Sequence, residues 1–79
     1  MEDKLFNGVC QAFEAAFSTD PATISLTSEP SDIAGWDSMG HVQLVAELEK
    51  IFSVAFEVDE VMEMEDVASI IRVLKDKGI

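Results

Sequence analysis

Ser38 is the residue of this chain whose type and setting could do chemistry. It stands in the stretch Gly35–Trp36–Asp37–Ser38–Met39–Gly40–His41, directly before an apolar pattern of helical spacing. A hydroxyl at the mouth of a helix has two uses. It can cap the helix by accepting from first-turn N–H groups, a task the carboxylate of Asp37 could do as well. It can also be an attachment point, because a phosphate esterified there would meet the positive end of the helix dipole and free N–H groups. The residue three along is His41, so the Glu or Gln of a capping box is missing.

Other chemistries fit the pattern less well. His41, one turn from Ser38, raises a Ser/His/Asp hydrolase, but a triad needs an orienting acid on the base and an oxyanion hole. Residues this close on one helix rarely meet those demands, and Trp36 stands where a nucleophile elbow has its first glycine. His41 is therefore expected to face solvent. The acids Glu57, Asp59, Glu60, Glu63, Glu65 and Asp66 lack the central glycine of a calcium loop, and are expected to form a solvated face that binds divalent cations loosely. Met39, Met62 and Met64 could line an adaptable apolar groove, but are expected to fill the core. Cys10 is the lone cysteine, which excludes an internal disulfide and cysteine metal clusters, and reads as a small packing residue.

The totals narrow the function classes. A chain of 79 residues is expected to form a single domain (residues 1–79) with a thin core, burying about 60% of its unfolded surface. Hydrophobic residues at 48% are too many for a disordered tail. Sixteen acids against five Lys and Arg give a formal charge of −11. That sign argues against nucleic acid and against anionic membrane surfaces, and for protein partners with basic patches. Met1 to Lys4 lack the features of a signal peptide, and no apolar run is long enough to span a bilayer. A cytoplasmic monomer is expected.

The elements that must position Ser38 read as all-α. Leu5, Phe6, Val9, Ala12, Phe13, Ala16 and Phe17 make the stripe of a first helix, with Glu2 and Asp3 suited to its dipole. Ser18 to Asp37 reads as a long irregular loop anchored by Ile24, Leu26, Ile33 and Trp36, of a length that often carries function. A second helix spans about Ser38 to Phe52, with Met39, Val42, Val45, Leu48 and Phe52 inward and Leu44, Ala46 and Ile51 flanking. Asp59 to Met64 can form a short third helix. The last runs from about Asp66, its cap, to Lys77, with Val67, Ile70, Ile71 and Leu74 inward. Arg72, Lys75 and Lys77 suit its negative end, and Gly78 stops it. The sum is a small four-helix bundle, three main helices and one short, with a long first loop.

GWDSMGHVQLVAELEKIF, residues 35–52, resembles the central signature of acyl carrier proteins, in which Asp-Ser-Leu or Asp-Ser-Met opens the second helix. Helix order and lengths resemble that family over nearly the whole chain. The resemblance implies that a phosphopantetheinyl transferase attaches 4'-phosphopantetheine from coenzyme A to Ser38, supplying Mg²⁺ and any base itself. The arm's thiol would carry cargo as a thioester, loaded by an acyl- or aminoacyl-loading enzyme and passed to an acyltransferase or synthase. It implies a carrier and not an enzyme. Asp37 and Met39 would flank the arm, and Trp36, Val42, Gln43, Glu47, Glu49, Asp59 and Glu60 would serve partner recognition.

Departures from the family pattern set the finer expectation. Carriers of fatty acid synthesis usually have acids where Gly40 and Gln43 stand here, and Lys50 interrupts the acids further on. The acidity has moved to Glu57 through Asp66. Different partners follow, in a specialised fatty-acid, lipid or secondary-metabolite pathway. DSMGHVQLVAELE is also similar to D-alanyl carrier proteins, which keeps an aminoacyl cargo open. A helical adaptor in which Ser38 only caps is the remaining alternative.

Overall fold

Helix α1 (Glu2–Phe17) buries Leu5, Val9, Ala12 and Phe13, four positions at helical spacing, and turns Gln11, Glu14 and Ala15 outward. The computed structural model describes the backbone of residues 2–79 and the side chains from Lys4 onward, so the expected placement of the Glu2 and Asp3 carboxylates lies outside the described residues. Three further helices follow: α2 (Ser38–Phe52), α3 (Val58–Met62) and α4 (Val67–Asp76). Among the described residues there is no strand, and the bundle expected from the sequence is the one formed. α1 packs against both α2 and α4. The core is closed by Leu44, Val45 and Leu48 of α2 and by Val67, Ile70, Ile71, Val73 and Leu74 of α4.

The inward face of α2 is rotated from the expected one. Met39 is 83% exposed and Val42 67%, while Gly40 and Leu44 are buried. The cause is a close approach at Gly40, where an added Cβ would lie 1.8 Å from the Gly35 carbonyl oxygen. Gly35 has φ +93°, a left-handed backbone that favours glycine. The two glycines let the loop lie flat on the first turn of α2, and that contact decides which side of the helix faces the core. Val45 and Leu48 stay inward as expected, and Phe52 is half-buried.

The stretch before α2 is more ordered than its composition suggests. One-turn 3₁₀ helices form at Pro21–Thr23 and Pro30–Asp32, each started by a proline. Between them, Ser25 N–H donates to the buried Ser28 hydroxyl at 2.9 Å. Ile24, Ile33 and Trp36 are buried anchors, but Leu26 is half exposed and holds the loop through its backbone instead. Its carbonyl accepts from Ala68 N–H, and the Ser28 carbonyl from Val67 N–H, both at 3.0 Å. With Asp66 Oδ1 taking Ser69 N–H at 2.7 Å and Asp66 O taking Ile70 N–H at 3.1 Å, the first turn of α4 is fully satisfied. Asp66 is its cap, as the sequence implies.

Cations at the end of α4 serve α3 as well. Lys77 pairs with Glu60 at 2.9 Å, and Glu60 also closes a capping box by accepting from Glu57 N–H at 2.7 Å. Arg72 to Glu63, at 3.6 Å and exposed on both sides, contributes little. Gly78, at φ +83°, ends the helix as expected.

These bonds make part of the fold acid-sensitive. The Ser69 hydrogen bonds hold the Asp66 carboxyl below its ordinary 3.8, and the Glu57 backbone and then Lys77 hold Glu60 below 4.5. A depressed folded value means the stabilisation is present above the unfolded value and lost as pH falls through the folded one. Relief of repulsion among the other acids works in the opposite direction, so the difference from a variant isolates the effect. Asp66→Asn keeps a capping oxygen without the charge. The stability gap between parent and variant in urea melts is expected to hold from pH 7 down to about 3.8 and to close below it. A gap that is flat with pH would show that the charge of Asp66 contributes nothing.

Candidate functional site

Asp37, and not Ser38, is the cap of α2. Its backbone is extended (φ −111°, ψ −166°), and its Oδ1 accepts from Gly40 N–H at 2.8 Å. Its carbonyl takes His41 N–H at 2.7 Å, beginning the helical ladder. Ser38 is thereby the first helical residue, exposed, with its hydroxyl free of any capping duty.

The contrast with α4 is informative. Both helices are capped by an aspartate at the same position, yet in α4 the loop carbonyls fill the first two N–H groups. In α2 the equivalent N–H groups, those of Ser38 and Met39, have no partner among the described residues. Two open donors and the positive end of a helix therefore surround an exposed hydroxyl. An anionic phosphoester on Ser38 would be stabilised there by both. The residues present fit a phosphate-linked arm.

Beside Ser38 runs an open groove of about 630 Å³, floored by Trp36 and His41 and walled by Pro30, Val42, Val61 and Met62. Met64 also lines it, and is buried as expected, but Met62 is 74% exposed and Met39 more so. Two of the three methionines therefore lie on the surface instead of filling the core. Val58, one turn before Met62, is exposed too.

The other residues expected at the site divide sharply. Trp36 is 3% exposed and lies edge-on to Phe13, ring centroids 4.9 Å apart, so it serves the site from inside. Val42 and Gln43 are exposed on the face of α2 that carries Met39. Glu47 is half-buried, and Glu49 is occupied, its Oε2 accepting from Phe56 N–H at 2.9 Å. Glu60 is likewise engaged with Lys77, whereas Asp59 is exposed. The structure gathers Ser38, Val42 and Met62 at one mouth and leaves Glu47 and Glu49 further along α2.

His41 departs furthest from expectation. It does not face solvent: its ring stacks on Trp36, accepts from Trp36 Nε1–H at 2.8 Å and meets the Val61 carbonyl at 3.0 Å. Neither ring nitrogen is available to Ser38, so a hydrolytic dyad has no base. Among the described residues no group of His, Cys, Asp and Glu is placed to hold a metal ion, and no helix is long and apolar enough to cross a membrane. Cys10 is buried, and burial pushes its thiol pKa up, away from reactive thiolate.

A four-helix bundle that offers a free serine hydroxyl at the start of its second helix, beside an apolar groove, has the architecture of a carrier. The family model for the phosphopantetheine attachment site matches residues 7–74, and the chain belongs to that family of carrier proteins. Proteins of this family hold 4'-phosphopantetheine covalently and interact with the enzymes that attach it and handle its cargo. No curated protein matches the chain.

Proposed function

We propose that Ser38 Oγ is the attachment point and that the chain carries acyl groups between the enzymes of a specialised fatty-acid, lipid or secondary-metabolite pathway. When bound, the arm supplies a terminal thiol that holds cargo as a thioester. The chain's own residues present it. Asp37 fixes the first turn of α2 and so relieves Ser38 of capping, and the open N–H groups of Ser38 and Met39 stabilise the phosphate. The freedom of the Ser38 hydroxyl is the observation that carries this reading.

Partner choice follows from the surface around it. Met39, Val42 and Gln43 make an uncharged exposed strip on α2, and Val42 lines the same groove as Met62 of α3. Such a strip suits apolar contact more than pairing with a basic patch. A loading enzyme and an acyltransferase or synthase with an apolar docking surface are the partners in this reading.

The test is intact mass after incubation with coenzyme A, Mg²⁺ and a broad-specificity phosphopantetheinyl transferase. The expected result is a gain of one phosphopantetheinyl unit on the folded protein. No gain would make the chain an unmodified adaptor.

A further inference from the structure

We infer that His41 is a proton-sensitive latch that holds α3 against the mouth of the site. The indole of Trp36 can only donate. Because Trp36 Nε1–H donates to His41 Nδ1 at 2.8 Å, that nitrogen must carry a lone pair. The ring proton then sits on Nε2 and donates to the Val61 carbonyl at 3.0 Å. The neutral Nε2–H tautomer is the form that makes both bonds, and one ring thereby joins the loop, α2 and α3. A second proton, on Nδ1, would set two donors against each other across the Trp36 contact.

The bridge matters because the rest of the hold on α3 is slight, a half-buried Val61 against the core and one further side-chain tie. Its five residues are far below the length at which a helix holds itself, and none of them is fully buried. Its further side-chain tie is Glu60 to Lys77, on another part of the helix. Behind His41 the support is firm, since Trp36 is packed on the fully buried Phe13. Of the groove residues only Asp37 is otherwise titratable, and its Oδ1 is engaged by Gly40 N–H. From α3 the groove receives apolar Val61 and Met62, while Glu60 and Glu63 turn to Lys77 and Arg72 and Asp59 is exposed. From the loop it receives Pro30 and Trp36. Protonating His41 therefore frees the wall of the groove beside Ser38 and leaves the α1–α2–α4 core in place. What this does to the arm rests on the attachment reading above; the latch itself does not.

The chain has one His and one Trp, so each gives a single, unambiguous ring signal. Long-range ¹H–¹⁵N spectra of the intact protein at pH 8 are expected to show the ring proton on Nε2. As the solution is acidified, protection of the Trp36 indole N–H and of the Val61 and Glu63 amides, corrected for intrinsic exchange, is expected to fall about tenfold, the worth of one to two hydrogen bonds. Amides of Val9, Phe13, Leu44 and Leu48 are expected to stay protected. His41→Phe, which keeps a ring without the bonds, should show the low α3 protection already at pH 8 and no further change on acidification. His41→Gln provides the same comparison if the Phe variant folds poorly. A proton found on Nδ1, α3 protection that ignores acidification, or core amides that fall in step would each overturn the latch. Failure of transferase loading in the parent would overturn the attachment reading alone.

Discussion

Ser38→Ala is expected to take up no phosphopantetheine while keeping its stability to within about 0.5 kcal/mol, as an exposed substitution does. Both halves follow from the first turn of α2. The variant lacks the hydroxyl proposed to carry the arm, but the cap belongs to Asp37, whose bond to Gly40 N–H does not involve the serine. Asp37→Ala should show the converse cost in stability, about 1 kcal/mol, through loss of that bond. Intact mass and urea melts on the two variants separate the roles. A Ser38→Ala protein that melts as low as Asp37→Ala would return the hydroxyl to capping and remove the argument for a free nucleophile.

Gly40→Asp, which would restore the acid usual in fatty-acid carriers, is expected to cost more than about 3 kcal/mol, beyond ordinary overpacking. The new Cβ would lie 1.8 Å from the Gly35 carbonyl oxygen and 2.9 Å from the Phe17 ring. The first obstacle is backbone, and Gly35 is itself held in a left-handed conformation, so nothing nearby can yield cheaply. A chain of this length has a total stability of roughly 4–12 kcal/mol, so the variant is expected to lose a quarter or more of it and to melt far below the parent, or to lose the start of α2. Gln43→Glu, on the exposed face, should be neutral. A cooperative urea melt of Gly40→Asp near the parent midpoint would mean that the loop is not pressed against α2. The position therefore reads as a packing requirement first, and partner charge can be restored only at Gln43.

Much of this was legible in the chain, and the reasons differ by element. α1 and α4 bury long, regular stripes, so periodicity alone identifies their inner faces, and Asp66 is visible as a cap. α2 carries apolar residues on more than half its circumference, at Met39, Val42, Leu44, Val45 and Leu48, and periodicity cannot choose among them. The choice is made by Gly35 against Gly40, a contact between backbones that leaves no hydrophobic signature. The setting of His41 is hidden for a similar reason: its partners are an indole five residues back and a carbonyl twenty residues ahead, and the second is invisible to local spacing. Val58 and Met62, at helical spacing among acids, were the available sign that α3 shows an apolar side, but five residues are too few to fix a period. Ser38 itself was legible through its neighbours Asp37 and Met39; that Asp37 alone does the capping needed coordinates.

The loop carbonyls that fill the first turn of α4 also set an order of events during synthesis. Leu26 and Ser28 leave the ribosome about forty residues before Val67 and Ala68, their hydrogen-bond donors, and until then these two backbone anchors of the loop are missing. The same loop delivers Trp36 and Gly35 to the start of α2. A nascent chain halted before α4 would already contain Ser38 but would not yet hold it in the finished setting. If Ser38 is the attachment point proposed above, a transferase that reads the shape of the site would meet its substrate only once α4 has been made and docked.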